Sequence, residues 1–123
     1  MALDNPILFA ATTDGKRARA FYEDTLGLRF VSEDQFALVF SVGVVPLRIQ
    51  KVGHKPALEY TVLGWTVRDI GKEMRRLSKA GVRFVRYEGL GQDEHGVWHS
   101  PSGAKIAWFA DPDGNTLSLT EHG

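Results

Sequence analysis

Residues 14–30 read DGKRARAFYEDTLGLRF, and residues 69–84 read DIGKEMRRLSKAGVRF. Each stretch runs from an Asp through a basic amphipathic segment to Gly, an apolar residue, Arg and Phe. Two copies are too few for a solenoid, which needs about three or more stacked units to bury its faces. The repeat therefore predicts one domain made of two similar modules, with a ligand cleft expected where the modules meet.

The composition is that of an ordinary globular domain. The 123 residues are 43% apolar and 24% charged, which suffices for a buried core. Fifteen basic and fifteen acidic residues cancel, so no overall field favours nucleic acid or an acidic membrane. The lack of cysteine excludes disulfides and thiolate metal sites. Because there is neither a signal-peptide pattern nor an apolar run of ~20 residues, we expect a cytoplasmic protein without membrane or nucleic-acid partners.

Two helices are predicted, near residues 15–26 and 69–80. Asp14 and Asp69 can cap them, and Gly27 and Gly81 can supply the left-handed residues that end them. Their apolar residues recur at helical intervals. The residues expected to face inward are Ala18, Phe21, Tyr22 and Leu26 in the first helix, and Ile70, Met74, Leu77 and Ala80 in the second.

Strands are predicted on both sides of each helix. Short apolar runs separated by turn residues indicate them, and Asp111-Pro112-Asp113-Gly114 is a strong turn signal. The segment Gly89–Gly103 is either a loop or an extra edge strand. The predicted strands are Ile7–Ala11, Leu28–Ser32, Phe36–Val42, Leu47–Val52, Leu58–Val67, Val82–Tyr87, Lys105–Phe109 and Thr116–Thr120.

This βαβββ order, found twice, and two motifs resemble the vicinal-oxygen-chelate superfamily, which includes glyoxalase I, extradiol dioxygenases and fosfomycin- and bleomycin-resistance proteins. The motifs are AFYEDTLGL at residues 20–28 and DPDGNTLSL at residues 111–119. The resemblance extends from Ile7 to Glu121. It implies a single α+β domain whose two tandem βαβββ modules, residues 5–53 and 57–121, form a curved half-barrel sheet with a ligand cup. One fold hosts several reactions, so the resemblance leaves the function open.

Metal-dependent members of this superfamily hold a divalent ion with four side chains. Counting from the shared motifs, those positions fall on Ile7, Arg48, Val62 and Ser118. Two of these side chains have no lone pair and one is cationic, so we expect no metal and no cofactor. His95 and His99 are the remaining candidates, but strand-like spacing would separate their rings by ~13 Å. That spacing favours exposed or hydrogen-bonded histidines over zinc ligands.

Alternation along the strands, together with the family positions, predicts the side chains that line the cup. Such a lining suits a small aromatic or amphipathic molecule, with Arg48 available for an acidic group. As alternatives, Phe9 and Trp108 are core residues, and Arg48 reaches the rim or pairs with a carboxylate. Trp65 should pack beneath the second helix, Glu121 should point away from the cup, and Gly64 should leave open space in it. The candidate ligand contacts are Phe9, Arg48, Gln50, Trp98, Trp108 and Ser118.

Two functions remain in consideration. The first is metal-independent binding, by sequestration or sensing, as in the bleomycin-resistance branch. The second is a glyoxalase-type lyase, isomerase or related enzyme with a rebuilt active site. Binding is favoured because Arg48, the one charged residue at the inferred inward positions, stays protonated and is a poor base. The directions of Glu59, Tyr60 and His99 stay open, and no catalytic residue is assigned. The resemblance and the open strand edges predict a homodimer.

Overall fold

The computed structural model describes residues 3–56 and 58–123. The chain divides into two compact units. Unit 1 comprises Met1–Leu58 with Asp111–Asn115, and unit 2 comprises Glu59–Ala110 with Thr116–Gly123. Each unit contains one open, four-stranded mixed sheet with a helix packed against it, so the fold is α+β with two modules, as predicted.

In unit 1 the strand order is β1-β4-β3-β2, and we call this sheet one. Strands β1 and β4 are parallel, whereas the other neighbours are antiparallel. The helix α1 continues directly into a π-helical segment, so the two form one helical stretch. The elements are β1 (Leu8–Thr12), α1 (Gly15–Arg19), the π-helical segment (Ala20–Thr25), β2 (Arg29–Glu33), β3 (Ala37–Val42) and β4 (Val45–Lys51).

Unit 2 repeats this topology. Its strand order is β5-β8-β7-β6, called sheet two, and again the strand before the helix lies parallel to the last strand of the module. The helix α2 packs on β7 and β8. The elements are β5 (Thr61–Thr66), α2 (Ile70–Lys79), β6 (Trp98–His99), β7 (Lys105–Ala110) and β8 (Thr116–Glu121).

The predicted capping and terminating residues of both helices are confirmed. The side chains of Asp14 and Asp69 accept hydrogen bonds from the backbone N–H groups of Arg17 and Lys72, which caps the helices. Gly27 and Gly81 have φ values of 78° and 98°, the left-handed conformation expected after a helix.

The predicted inward faces of the helices are correct with two exceptions. Ala80 is exposed, because it lies beyond the last turn of α2. Phe21 is only half-buried. In the wider turn that contains Phe21, the Leu26 N–H donates to the carbonyl of Phe21, five residues back, instead of four. The other predicted inward residues are buried: Ala18, Tyr22, Leu26, Ile70, Met74 and Leu77.

The predicted strand Val82–Tyr87 is wrong. Phe84 makes an isolated bridge to Phe109, and the outer strand of sheet two is instead the two-residue β6. The reason lies in Gln92, whose side-chain amide accepts from the backbone N–H of Tyr87 and donates to the carbonyl of Val85. These backbone groups are satisfied by a side chain rather than by a neighbouring strand, so the ladder stops. The segment Gly89–Gly103 thus contains both a loop and a short edge strand.

The two motifs that carry the family resemblance meet inside unit 1. The Tyr22 hydroxyl donates to the carboxylate of Asp111 at 2.6 Å, and the Asn115 amide donates to the same oxygen at 2.7 Å. Burial, followed by the charge of Asp111, raises the pKa of Tyr22. All three residues are buried, so removing any one of them would leave a partner unsatisfied.

The same turn is fixed at a second point by Asp113. Its carboxylate accepts from the hydroxyls of Thr12 and Thr13 and pairs with Arg17 at 3.0 Å. Desolvation by itself would raise the pKa of Asp113, but these hydrogen bonds and the Arg17 charge outweigh it and lower the pKa. The turn therefore belongs to unit 1 through polar contacts made at both of its acidic residues.

Each sheet buries one face beneath its helix. In unit 1, Tyr22 packs on Phe40 with ring centroids 5.8 Å apart. In unit 2, Trp65 stacks on Phe109 at 6.5 Å, on the helix-facing side as predicted. In the described residues, no helix is long and apolar enough to cross a bilayer. The fully buried apolar strand residues of the two helix-facing sides are Leu38, Phe40, Leu47 and Ile49 in sheet one, and Ala107, Phe109 and Leu117 in sheet two.

Candidate functional site

The face of sheet two that points away from α2, here called its open face, carries a row of three neighbouring residues. Ser118 on β8 lies opposite Gly64 on β5 and opposite Trp108 on β7. Paired residues share one face of a sheet, and the flanking Leu117 and Leu119 are buried on the other face. The predicted parity of Trp108 and Ser118 is therefore correct.

Gly64 does not leave open space, contrary to prediction. The hydroxyl of Ser118 lies over it, so that a Cβ at position 64 would collide with the Ser118 Oγ and press on its carbonyl oxygen. Alternation along β5 alone indicates open space beside a glycine, but here the neighbouring strand β8 fills that space. The Gly64–Ser118 pair is a close packing contact.

Trp108 is the centre of an aromatic cluster on this open face. Its ring centroid lies 5.5 Å from that of Tyr87, with the planes at 82°. The ring of Trp98 lies 6.3 Å from that of Trp108. Trp98 pairs with Ile106 on β7, which places it on the same face. Unlike Phe109, which is completely buried, Trp108 is only half-buried, so its ring has an accessible surface.

A pocket of about 380 Å³ opens beside Trp108. It lies within unit 2, and its volume falls at the lower end of the range for small-molecule sites. The pocket combines three aromatic side chains, two carboxylates and two threonines. Its lining residues are Glu59, Tyr60, Thr61, Tyr87, Glu88, Gly89, Leu90, Trp108 and Thr116.

One wall of the pocket is a turn over residues 87–90, which was not predicted to belong to the site. The Leu90 N–H donates to the carbonyl of Tyr87, and Gly89 has a φ of 80°, which favours glycine at that position of the turn. Gln92 fixes the preceding backbone by accepting from the N–H of Tyr87. The sequence does contain a signal for this turn, the pair Glu88-Gly89. It was not used because a strand was predicted up to Tyr87.

The open face of sheet one carries the other predicted residues. Arg48 on β4 lies opposite Phe9 on β1 and Val39 on β3. Gln50 follows on the same face and is exposed, whereas Leu47 and Ile49 between them are buried against the helix side. Phe9 is 50% exposed, so it is not a core residue of unit 1. Within the described ranges Arg48 forms no ion pair, which removes the predicted alternative of a carboxylate partner there.

The six predicted ligand contacts thus divide between the units. Phe9, Arg48 and Gln50 lie on the open face of sheet one, and the other three lie on the open face of sheet two. Trp108 lines the 380 Å³ pocket, and Trp98 contacts Trp108 through its ring. That all six line one cavity stays a prediction.

His95, in the loop before β6, and His99, on β6, lie on the helix-facing side of sheet two. The Nε2 of His99 lies 3.0 Å from a carboxylate oxygen of Asp93, and His95 is exposed beside Glu94. Desolvation would raise the pKa of Asp93, but hydrogen bonds from the Val97 N–H, the His99 ring and the His95 N–H lower it to about 2. These contacts match the hydrogen-bonded alternative. Glu121 also faces this side, as predicted, because it accepts from the Ile70 N–H.

The four family metal positions do not fit a divalent ion. Ile7 and Val62 offer no donor atom, Arg48 is cationic, and Ser118 offers one neutral hydroxyl that packs over Gly64. Among residues 3–56 and 58–123, no group of three or more His, Asp or Glu side chains is placed to hold a metal. The donor chemistry of these positions therefore disagrees with the metal-dependent branch of the resemblance.

Comparisons with known proteins agree with the fold described above. The Glyoxalase/Bleomycin resistance protein/Dioxygenase superfamily profile matches residues 7–119, whereas no curated protein matches the chain. A superfamily member from Sphaerobacter thermophilus is 25% identical, with a TM-score of 0.74 over 98% of this chain and 99% of its own.

Two further solved structures share the fold. A protein assigned to the glyoxalase family from Bacillus anthracis is 18% identical, with a TM-score of 0.75 over 98% of this chain and 95% of its own. The bleomycin resistance determinant encoded on transposon Tn5 is 21% identical, with a TM-score of 0.72 over 97% of this chain and 98% of its own. The profile match over residues 7–119, joined to the repeated module topology, shows that the chain belongs to the Glyoxalase/Bleomycin resistance protein/Dioxygenase superfamily.

Proposed function

We propose that the protein binds a small aromatic or amphipathic molecule, without a metal ion, at the open face of sheet two. The observation that supports this most strongly is the half-buried Trp108, which lines the 380 Å³ pocket between Tyr87 and Thr116. A tryptophan that only packed a core would lie on the helix-facing side, where Trp65 stacks on Phe109. An accessible aromatic platform offers a planar ligand a large contact area.

Metal independence is supported by the donor set. A metal-dependent relative needs oxygen or imidazole ligands at positions where this chain has Ile7, Val62 and Arg48. Metal analysis of purified, dialysed protein tests this directly. We expect no stoichiometric zinc, nickel, iron or manganese, and a tightly retained ion would refute the proposal.

Ligand binding is tested with a thermal-shift screen of small aromatic compounds, followed by titration of the strongest compound and of 2-naphthylmethanol as a neutral reference. Replacing Trp108 with Ala should weaken binding by about 2 kcal/mol or more if Trp108 is the central anchor. Trp65→Phe is the matched control, because it changes a tryptophan of the same unit on the helix-facing side. Equal losses in both variants would argue against a site at Trp108.

A glyoxalase-type lyase or isomerase is the second candidate, and one observation favours keeping it. Such chemistry needs a side chain that can accept a proton from the substrate. Glu59 and Glu88 both line the Trp108 pocket, whereas His99 lies on the other side of sheet two. A glyoxalase assay that gave turnover in the wild type and none in Glu59→Gln or Glu88→Gln would establish this alternative over simple binding.

We further propose that the protein forms a homodimer. Sheet one ends in β1 and β2 and sheet two in β5 and β6, so each sheet has open edges of a kind that proteins usually cover. Val31 on β2 and the nearby Phe36 are 54% and 65% exposed. Light scattering at micromolar concentration should give twice the mass of the chain, and a monomer would contradict this proposal.

A further inference from the structure

The pocket beside Trp108 carries negative charge only. Two of its lining residues are Glu59 and Glu88, and none is Lys, Arg or His. Neither carboxylate has an ion-pair partner in the described part of the chain. We propose that this pocket selects an organic ammonium cation that carries an aromatic or aliphatic group, which rests on the binding function proposed above.

The aromatic lining suits the same ligand. Tyr60, Tyr87 and Trp108 surround the pocket, and the near-perpendicular rings of Tyr87 and Trp108 present surfaces in two directions. The face of an aromatic ring attracts a cation, most strongly when the ring is tryptophan. An ammonium group in this pocket would gain cation–π contacts with the rings and attraction from the exposed carboxylates of Glu59 and Glu88, while its organic group would contact the rings and Leu90.

The other cavity of unit 2 is lined by both basic and acidic residues. It has a volume of about 600 Å³ and lies on the helix-facing side, where Arg75, Lys79 and Lys105 accompany its acidic residues. Those carboxylates already have partners: Asp93 accepts from three groups, and Glu121 accepts from the Ile70 N–H. Among residues 3–56 and 58–123 the carboxylates of the Trp108 pocket have no such partners, so they stay available to a ligand.

The size of the pocket limits the ligand. A volume of about 380 Å³ accommodates a small molecule rather than a folded partner. Tyr60 is 64% exposed and Tyr87 is 42% exposed, so the pocket opens directly to solvent. A single fused aromatic ring system with one ammonium group matches this volume and leaves a larger substituent free to extend outward.

Three naphthalene probes of similar size and different charge test the proposal. They are 2-naphthylmethylamine, which is cationic at pH 7, the neutral 2-naphthylmethanol and the anionic 2-naphthoate. Their affinities are measured by NMR titration of the full chain, with the indole N–H of Trp108 as the reporter. The cation should bind about tenfold more tightly than the alcohol, and the naphthoate more weakly than either.

The double variant Glu59→Gln with Glu88→Gln isolates the charge. It should reduce the affinity for the amine about tenfold and leave that for the alcohol unchanged within about twofold. Glu73→Gln is the matched control, because Glu73 loses the same charge on α2, outside this pocket. The control should leave all three affinities unchanged.

The outcomes separate this inference from the function on which it rests. If the amine and the alcohol bind equally, or if the double variant keeps the preference for the amine, the cation proposal is overturned and the aromatic site stands. If no probe shifts the Trp108 signal, the binding function at this face fails, and the cation proposal fails with it.

Discussion

Sheet one and sheet two place different side chains at corresponding positions of their open faces. In sheet one the central row is Phe9, Arg48 and Val39, and in sheet two it is Gly64, Ser118 and Trp108. The helix-facing rows are alike, since both sheets bury apolar residues on each side of the central position. The two modules are therefore alike on the faces that pack against the helices and differ on their open faces.

Substitutions on the two faces of β7 should lower the free energy of unfolding by very different amounts. Phe109 is fully buried and packs on Phe84 and Trp65, so Phe109→Ala should lower the free energy of unfolding by about 3–5 kcal/mol. The neighbouring Trp108→Ala, on the open face, should cost clearly less. Urea unfolding of both variants measures this, and equal losses would show that Trp108 is a core residue.

The contact between Gly64 and Ser118 in the central row of sheet two predicts a smaller loss of stability. Gly64→Ala drives a Cβ into the Ser118 hydroxyl and should cost about 2 kcal/mol of stability. Adding Ser118→Ala removes that hydroxyl and should recover part of the loss, since the Ser118 carbonyl oxygen still lies close to the added Cβ. Phe9→Ala is the comparison in sheet one and should cost less, because Phe9 is half exposed. If the second substitution gives no recovery in urea unfolding, the close contact between β5 and β8 is wrong.

Both units also hold a carboxylate with a lowered pKa, Asp113 in unit 1 and Asp93 in unit 2. A lowered pKa stabilises the folded state above the unfolded pKa of roughly 3.9, and this stabilisation is lost as the pH falls through the folded pKa. For Asp93 that value is about 2. The difference in Tm between wild type and Asp93→Asn should therefore shrink as the pH falls from about 4 to 2.

The smallest effect concerns Arg48. If Arg48 on sheet one contributes to ligand binding, Arg48→Met should weaken binding of 2-naphthoate by up to about fivefold and leave 2-naphthylmethanol unchanged. Arg76→Met, on α2, is the control for loss of a positive charge. An equal response of both probes, measured by calorimetry, would assign Arg48 a structural role.

Features that depend on regular periodicity were predicted correctly, and the prediction failed where one side chain bonds to the backbone of a nearby segment. The caps at Asp14 and Asp69 and the alternation that places Trp108 and Ser118 on one face follow from short-range periodicity. The lost strand over Val82–Tyr87 depends on the amide of Gln92, which replaces strand pairing and bends Tyr87 and Glu88 into the pocket wall. Neither helical periodicity nor strand alternation indicates that contact between a side chain and the backbone.

Metal-independent binding of aromatic ligands at Trp108 can be measured in one titration. EDTA-treated, dialysed protein is titrated with 2-naphthylmethylamine while the indole N–H signal of Trp108 is followed. We expect a saturable shift that is insensitive to added Zn²⁺, and loss of calorimetric binding in Trp108→Ala. The absence of a shift, or a shift that appears only after a divalent ion is added, would refute metal-independent binding at Trp108.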